Sequence, residues 1–309
     1  MQTQSLDDAR AAHPPCSIVV LTHNRAATVL GTLAKLTALA EPWPIVLVDN
    51  GSTDGTADQV AARFPGVSVV RAPRNYGAAG RNLGVATVDT PYVAFCDDDT
   101  AWLPVSIARA VDVLQRYPSV GVVAAHILVG PTRRDDTACE PMAASTLPAE
   151  GLPGPALLGF MAGACVMRTR AFTDAGGYRR DLFIGGEESV LALDLVDAGW
   201  HIVYCREVVT HHNPSPVRDV MQRRALLARN ELLSAWLRLP QDLAWRVTGR
   251  ALRAMAEQGV LGEALPAALV RLPRTLMHRH TVQPGTAALW RQMDADRQRQ
   301  RAIPTLSVG

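Results

Sequence analysis

Asp97-Asp98-Asp99 carries the sharpest chemical signal in this chain of 309 residues. Three adjacent carboxylates repel one another unless something neutralises them. A divalent cation, Mg²⁺ or Mn²⁺, does this through oxygen ligands and usually shares its shell with substrate phosphates. In an extended segment alternate residues face the same way, so Asp97 and Asp99 are expected to address one site. The plainer reading is a solvated acidic turn. The buried-strand pattern of Tyr92–Cys96 directly upstream favours the site, because ligands of open α/β sheets gather beyond the carboxyl ends of strands.

Four other groupings could do chemistry. Asp49 closes a second apolar run and opens Asp49-Asn50-Gly51-Ser52-Thr53-Asp54-Gly55-Thr56, which alone also reads as a turn with a helix cap. Asn75 to Asn82 is a small-residue turn whose backbone amides, around Gly77, could approach a phosphate that Arg81 could pair with. Gly185-Gly186-Glu187-Glu188 puts two carboxylates in the first turn of a helix. They could serve the helix dipole, or supply a general base behind a flexible glycine hinge. His211-His212-Asn213 offers His211 as a metal ligand or phosphate partner, although surface histidines are more often neither.

The elements that must hold these residues alternate. Apolar, β-branched runs at Ser17–Thr22, Ile45–Val48, Val67–Arg71, Tyr92–Cys96 and Val120–Val129 predict strands. Between them lie helical patterns: one from about Arg25, with Asn24 as its expected cap, a weak one over Gly77–Ala86, and one over Pro104–Arg116. Alternation of short strands and helices predicts an α/β fold with a doubly wound, mostly parallel sheet. Residues 130–160 read as a long loop. Ala162–Arg168 and Ile202–Cys205 read as strands, and Glu187–Ala198 as a helix ended by Gly199. From Val217 onward only helical patterns appear, broken by Pro240, Pro266, Pro273 and Pro284. The first strand is followed by Thr22-His23-Asn24-Arg25, without the glycine fingerprint of a nicotinamide or flavin site.

Composition narrows the classes further. A content of 48% hydrophobic and 19% charged residues excludes a disordered chain. No apolar run reaches the roughly 18 residues of a bilayer span, and the polar start with Asp7 and Asp8 does not read as a signal peptide. Five cysteines without a CxxC pair argue for reduced thiols and a cytoplasmic setting. Charge is uneven: residues 1–216 carry 16 basic and 22 acidic side chains, residues 217–309 carry 15 and 7. An acidic front suits a cation and a basic back suits an anionic surface.

The motifs SIVVLTHNR, IVLVDNGSTDGT, NYGAAGRNLGVA, YVAFCDDD, GGEESVLALDLVDAGW, VVTHHNPSP and RRALLARNELL, in that order, resemble the family-2 glycosyltransferases of GT-A fold, most of all rhamnosyltransferase-type members. The resemblance runs from about Cys16 to Leu233. Together with the polar start and the basic, helical-patterned end it gives the expected organisation: a disordered arm over 1–15, a GT-A domain over 16–216 and a helical basic extension over 217–309. It also implies an inverting enzyme that moves a sugar from a nucleoside-diphosphate sugar to an acceptor hydroxyl of a glycan, a lipid-linked or a small molecule. By resemblance, Thr22, Asn24 and Arg25 border the nucleotide, Asp49 binds the base, and Gly77 and Arg81 contact the nucleotide or its phosphates. Asp97 to Asp99 form the DxD site, with Asp98 on ribose or metal, Asp99 on metal, and His211 near the metal or diphosphate. The family's general base usually stands second in a Glu-Asp pair. Here that position is Glu188, one methylene longer, with Glu187 as the alternative.

Two further readings bear on partners. Leu243, Val247, Ala251 and Met255 form a helical stripe beside Arg246, Arg250 and Arg253, with Trp236 and Trp245 near. Such a helix either packs on the domain or lies at the inner face of a membrane to reach a lipid-linked acceptor. Nothing resembles a nucleic-acid-binding module. An aspartate-nucleophile phosphatase is disfavoured, since its acidic pair follows the first strand. A non-catalytic sugar-nucleotide or glycan binder remains the alternative, on the strength of the glutamate at 188.

Overall fold

The computed structural model describes residues 14–214 and 220–302. The expected N-terminal arm, apart from residues 14 and 15, and the expected boundary at 216–217 lie outside them.

Four strands build the left half of one sheet: β1 (Cys16–Thr22), β2 (Ile45–Asp49), β3 (Val67–Arg71) and β4 (Tyr92–Asp97). All pair in parallel, in the spatial order β3-β2-β1-β4. β1, β2 and β4 are buried almost throughout, which is why their sequences are continuous apolar runs rather than alternations. Register then does the positioning. Thr22 pairs with Asp49 and Leu21 with Asp97, so the polar residues that end the three strands arrive at one edge.

The right half is mixed. β9 (Ala164–Arg168) inserts antiparallel between β4 and β6 (Val120–Val129). β10 (His201–His212) runs parallel to β6, and β5 (Thr100–Trp102) pairs antiparallel with its end. β10 is much longer than the expected Ile202–Cys205. A register shift between Cys205 and Val209 lets it bend and continue to His212, and the charged Arg206 and Glu207 at that irregularity hid the continuation. The expected long loop 130–160 holds short pieces: β7 (Arg134–Asp135), α5 (Cys139–Ala143) and β8 (Ala156–Leu157).

Helices cover both faces. α1 (Ala26–Leu36) and α4 (Ser106–Arg116) pack on one side, with Val29, Leu33, Ile107 and Leu114 at the core. α2 (Thr56–Arg63) joins the same cluster through Val60. α3 (Arg81–Val85), α6 (Thr169–Asp174) and α7 (Glu187–Asp197) pack on the other side, around Phe95, Phe172 and Tyr178.

Four helices follow: α8 (Val220–Arg238), α9 (Gln241–Glu257), α10 (Leu261–Met277) and α11 (Pro284–Ala302). They share cores with the sheet half. Leu182 and Val190 join residues of α8, α9 and α10, while Leu147, Leu158 and Leu193 join residues of α8, α9 and α11. Pro240 and Pro284 punctuate as expected, but Pro266 and Pro273 sit inside α10, where Ala264 and Ala268 pack into the helical core and hold the segment helical. The stripe Leu243, Val247, Ala251 and Met255 of α9 is fully buried, so this helix packs on the domain rather than meeting a membrane with that face. No described helix is long and apolar enough to cross a membrane.

Candidate active site

The carboxyl edge of β1, β2 and β4 opens into a cavity of ≈ 430 Å³ lined by Thr22, Arg25, Asp97–Asp99, Arg81 and, across from them, Glu187 and Glu188. At its floor every carboxylate has a partner. Arg25 Nη1 donates to Asp98 Oδ1 at 2.5 Å and its Nη2 to Asp99 Oδ2 at 3.1 Å. Thr22 Oγ1 donates to Asp98 Oδ2 at 3.0 Å, and Thr32 of α1 holds the Asp98 carbonyl at 2.7 Å. The expected alternation of Asp97 with Asp99 does not hold. β4 ends at Asp97 and the chain turns, so Asp98 and Asp99 share Arg25 while Asp97 pairs with the buried Arg81.

Charge follows burial and partners. Burial pushes the Asp98 carboxyl up to about 7 against the pull of Arg25. Burial would also raise Asp99, but hydrogen bonding to His212, with the charges of His212 and Arg25, outweighs it and holds Asp99 below the usual carboxylate value. Burial works against the Arg81 charge, and Asp97 more than restores it.

His211 is not at this site. Its Nε2 lies 2.7 Å from the Gly130 carbonyl, on the other face of β10. His211 therefore does not reach the position expected of it, and its neighbour occupies that place: His212 lines the cavity with Nε2 3.4 Å from Asp99 Oδ1. The antiparallel pairing of His212 with Thr100 delivers it, and side chains one residue apart on a strand face opposite ways.

Asn24 differs too. It does not cap α1. It takes a positive φ of 51° and its Oδ1 accepts from the Thr53 backbone N–H at 2.7 Å. The first amide of the helix, Ala26 N–H, is bound instead by Asp54 Oδ2 at 3.2 Å. Arg25 is thereby fixed at the head of α1, over the aspartates. Asp49 is buried, and its Oδ1 accepts from the Ser52 N–H at 3.2 Å.

Asn50, absent from the sequence candidates although it sits beside Asp49, ties this loop to the glycine turn. Its Nδ2 reaches the Gly77 carbonyl at 2.9 Å and its Oδ1 accepts from Tyr76 N–H at 3.0 Å. Gly77, at φ +61°, lies under the Phe183 carbonyl, where a Cβ would come within 2.0 Å. The next amide, Ala78 N–H, donates to that carbonyl at 2.7 Å.

The opposite wall is the head of α7. Glu188 Oε1 accepts from Ala162 N–H at 2.6 Å. Glu187 is buried and its Oε2 has no hydrogen-bond partner, like Arg81 Nε nearby. Burial raises both glutamates above the ordinary range, and the charge of Glu187 adds to the rise at Glu188. The expected flexible hinge is in fact clamped. Asn230 Nδ2 of α8 lies 2.6, 3.0 and 2.7 Å from the carbonyls of Leu182, Ile184 and Gly185. Gly185 and Gly186 are required for close approach, since a Cβ at either would meet Leu227 or Ser234. Glu188 also lines a second cavity of ≈ 760 Å³, walled by residues 137–147, Leu157–Met161 and, from α11, Met293.

The fold and this acidic cleft define a glycosyltransferase of GT-A type that uses nucleotide-sugar donors. The pattern of Glycosyl transferase family 2 matches residues 17–177, just over half of the sequence, and the chain belongs to that family. It is 28% identical to the N-acetylglucosaminyl-diphospho-decaprenol L-rhamnosyltransferase of Mycobacterium tuberculosis, over 75% of this chain and 89% of the relative. A pre-mycofactocin glycosyltransferase of the same organism is 26% identical over 71% of this chain and 49% of its own length. Among solved structures, the mannosyltransferase PcManGT from Pyrobaculum calidifontis, in complex with GDP-Man and Mn²⁺, superposes with a TM-score of 0.57 at 20% identity, covering 93% of this chain and 81% of that one. GalNAc-T7 with UDP, GalNAc and Mn²⁺ superposes with a TM-score of 0.65 at 13% identity, covering 95% and 59%. At these identities the structural likeness speaks for the fold.

Proposed function

We propose that the chain moves a sugar from a nucleoside-diphosphate donor to an acceptor hydroxyl with inversion at the anomeric carbon, in a reaction that depends on Mg²⁺ or Mn²⁺. The observation that carries this reading is the position of Glu188. It faces the aspartate-lined cavity and at the same time borders the second one.

The donor set at the floor fits a hard divalent cation. Asp98, Asp99 and His212 offer carboxylate oxygens and an imidazole. Among the described residues no three such groups are arranged to hold a metal ion by themselves, so in this reading phosphate oxygens of the donor would have to complete the shell. Bound there, the cation would offset negative charge on the departing diphosphate. Thr22, Asn50 and the Gly77 turn border the space for nucleoside and phosphates, while Asp49, expected to bind the base, does not line the cavity and serves the Ser52 turn behind it. Arg81, buried and with a free Nε, adds fixed positive charge beside the leaving group.

An acceptor in the second cavity would present its hydroxyl to Glu188. The new C–O bond forms as the bond from the anomeric carbon to the diphosphate breaks, and the hydroxyl proton passes to Glu188. Direct displacement inverts the centre. Burial and Glu187 raise the proton affinity of Glu188, as a base working near neutral pH requires. The hydrogen bond from Ala162 N–H holds the longer side chain in place at the cavity edge, which favours a positioned base over a non-catalytic binder. The acceptor class we propose is glycan or lipid-linked, as the name of the mycobacterial relative specifies for that protein.

The test is a thermal shift with UDP-, GDP- and dTDP-sugars, with and without Mn²⁺, since a ligand of the native state raises its stability. At least one donor should raise Tm in a Mn²⁺-dependent way, and Asp99→Ala should remove that dependence. Equal shifts in variant and wild type would overturn the metal site.

A further inference from the structure

Behind the segment that carries Phe183 lies a third cavity, of ≈ 470 Å³, between residues 180–183, α8 and α10. Arg180, Arg229, Arg271 and Arg274 line it. Among the described residues none of the four makes an ion pair. The one carboxylate in the lining, Asp181, is held by Arg179 at 3.0 and 2.7 Å. Arg229 is 7% exposed and reaches only neutral acceptors, Asn230 Oδ1 at 2.9 Å and the Leu182 carbonyl at 3.2 Å. Burial, and then the charge of Arg271, pull the Arg229 pKa down to about 10. Arg180 stacks over the Tyr76 ring at 5.0 Å, and Asp181, already held by Arg179, is the single carboxylate set against the four arginines, so the lining keeps an excess of positive charge that suits a phosphate.

The helix that supplies Arg271 and Arg274 also carries bare hydrophobic residues. Leu269, Val270, Leu276 and Met277 of α10 are 56%, 78%, 43% and 83% exposed. At 3.6 residues per turn these four and Pro273 fall within an arc of about 120°. Arg271 and Arg274 come next around the helix, between that arc and the buried Ala264, Ala268 and Thr275. Scattered exposed aliphatics are normal in a protein surface, whereas a contiguous group rimmed by cations marks a surface that meets something.

We propose that α10 and this arginine cavity dock the protein on an anionic phospholipid membrane, the aliphatic arc entering the acyl boundary and a lipid phosphate seated among the four arginines. Apolar side chains beside phosphate-binding cations match the two layers of a bilayer surface, acyl chain and headgroup. With only 17 residues, two of them proline, α10 lies on the surface and does not span it. The basic helix α9 is not the docking element, because its apolar stripe is buried. Phe183 lines both the arginine cavity and the donor cavity, so a lipid phosphate would sit one loop away from the active site. The inference stands apart from the catalytic reading, and either can fail alone.

Co-sedimentation of the full chain tests it, with vesicles of phosphatidylcholine and of phosphatidylcholine with phosphatidylglycerol. Wild type should bind the anionic vesicles and leave the neutral ones. Arg271→Gln with Arg274→Gln should weaken binding roughly 25-fold, taking about fivefold per arginine near an anionic surface. Val270→Asp with Met277→Asp, at exposed sites that leave Tm unchanged, should abolish it. Equal sedimentation with both vesicle types, or unaltered binding by both double variants, overturns the proposal. So does a Tm raised by inorganic phosphate without any vesicle binding, which would make the cavity a site for a soluble anion.

Discussion

The donor cavity and the arginine cavity lie on either side of one loop, and they treat charge in opposite ways. In the first, Asp97, Asp98 and Asp99 are matched by Arg81 and Arg25 from the same fold. In the second, four arginines face one carboxylate, Asp181, which Arg179 already holds. The donor cavity is thus held in shape before a ligand arrives. In the proposed reaction Arg25, 28% exposed at its side chain, would give way to a cation that brings phosphates with it. The arginine cavity is instead left incomplete, and the chain folds in spite of it. A charge balanced at home belongs to preorganisation. A charge without a partner points outward, to something the chain meets.

Removing charges from the two places should separate them most clearly. Asp97→Ala leaves Arg81 buried at 5% side-chain exposure and unpaired. Breaking a fully buried pair costs about 3–5 kcal/mol; with Asp97 43% exposed and Glu187 and Glu188 still acting on Arg81, denaturant unfolding should show a loss of about 2 kcal/mol. Arg271→Gln with Arg274→Gln should instead change stability by no more than about 0.5 kcal/mol, since both are exposed, neither makes an ion pair among the described residues, and Asp181 keeps its pair with Arg179. A comparable cost at both sites would erase the distinction. A subtler contrast lies within the active site. The folded state raises the proton affinity of Glu188 above its unfolded value, so its contribution to stability is full below the ordinary carboxylate range and is lost as pH rises through the raised value. Glu188→Gln keeps the shape without the charge. Its Tm should exceed that of wild type at about pH 8 and match it at about pH 4. A Tm below wild type at the higher pH would mean that the charged form is favoured in the fold.

Much of this was legible because strand ends and turn chemistry are written locally. The runs ending at Asp49 and Asp97 gave the parallel register, and the register brings their carboxylates to one edge. What depends on distant pairing was not legible. A two-residue alternation places either His211 or His212 inward, and only the pairing of His212 with Thr100 decides. Asn24 has the right chemistry for a cap, but the tertiary approach of Asp54 takes that task and frees Asn24 for Thr53. Asn230 reads as one polar residue in a helix, yet three carbonyls from the glycine segment converge on it. The antiparallel entry of β9 leaves no mark in a short apolar run, since parallel and antiparallel central strands bury the same residues. For α9 the apolar stripe was legible and burial decides that it packs on the domain, whereas the bare arc of α10 was not read from the sequence at all.

Central to the account is Glu188 as the base that takes the acceptor's proton at the junction of two cavities. Sugar transfer by Glu188→Gln, measured beside donor affinity in the same preparation, tests this most directly. General-base assistance is worth about 10²–10⁴-fold, so transfer should fall by at least 100-fold while the donor binds as before. Transfer at the wild-type rate by a variant that still binds donor would contradict it.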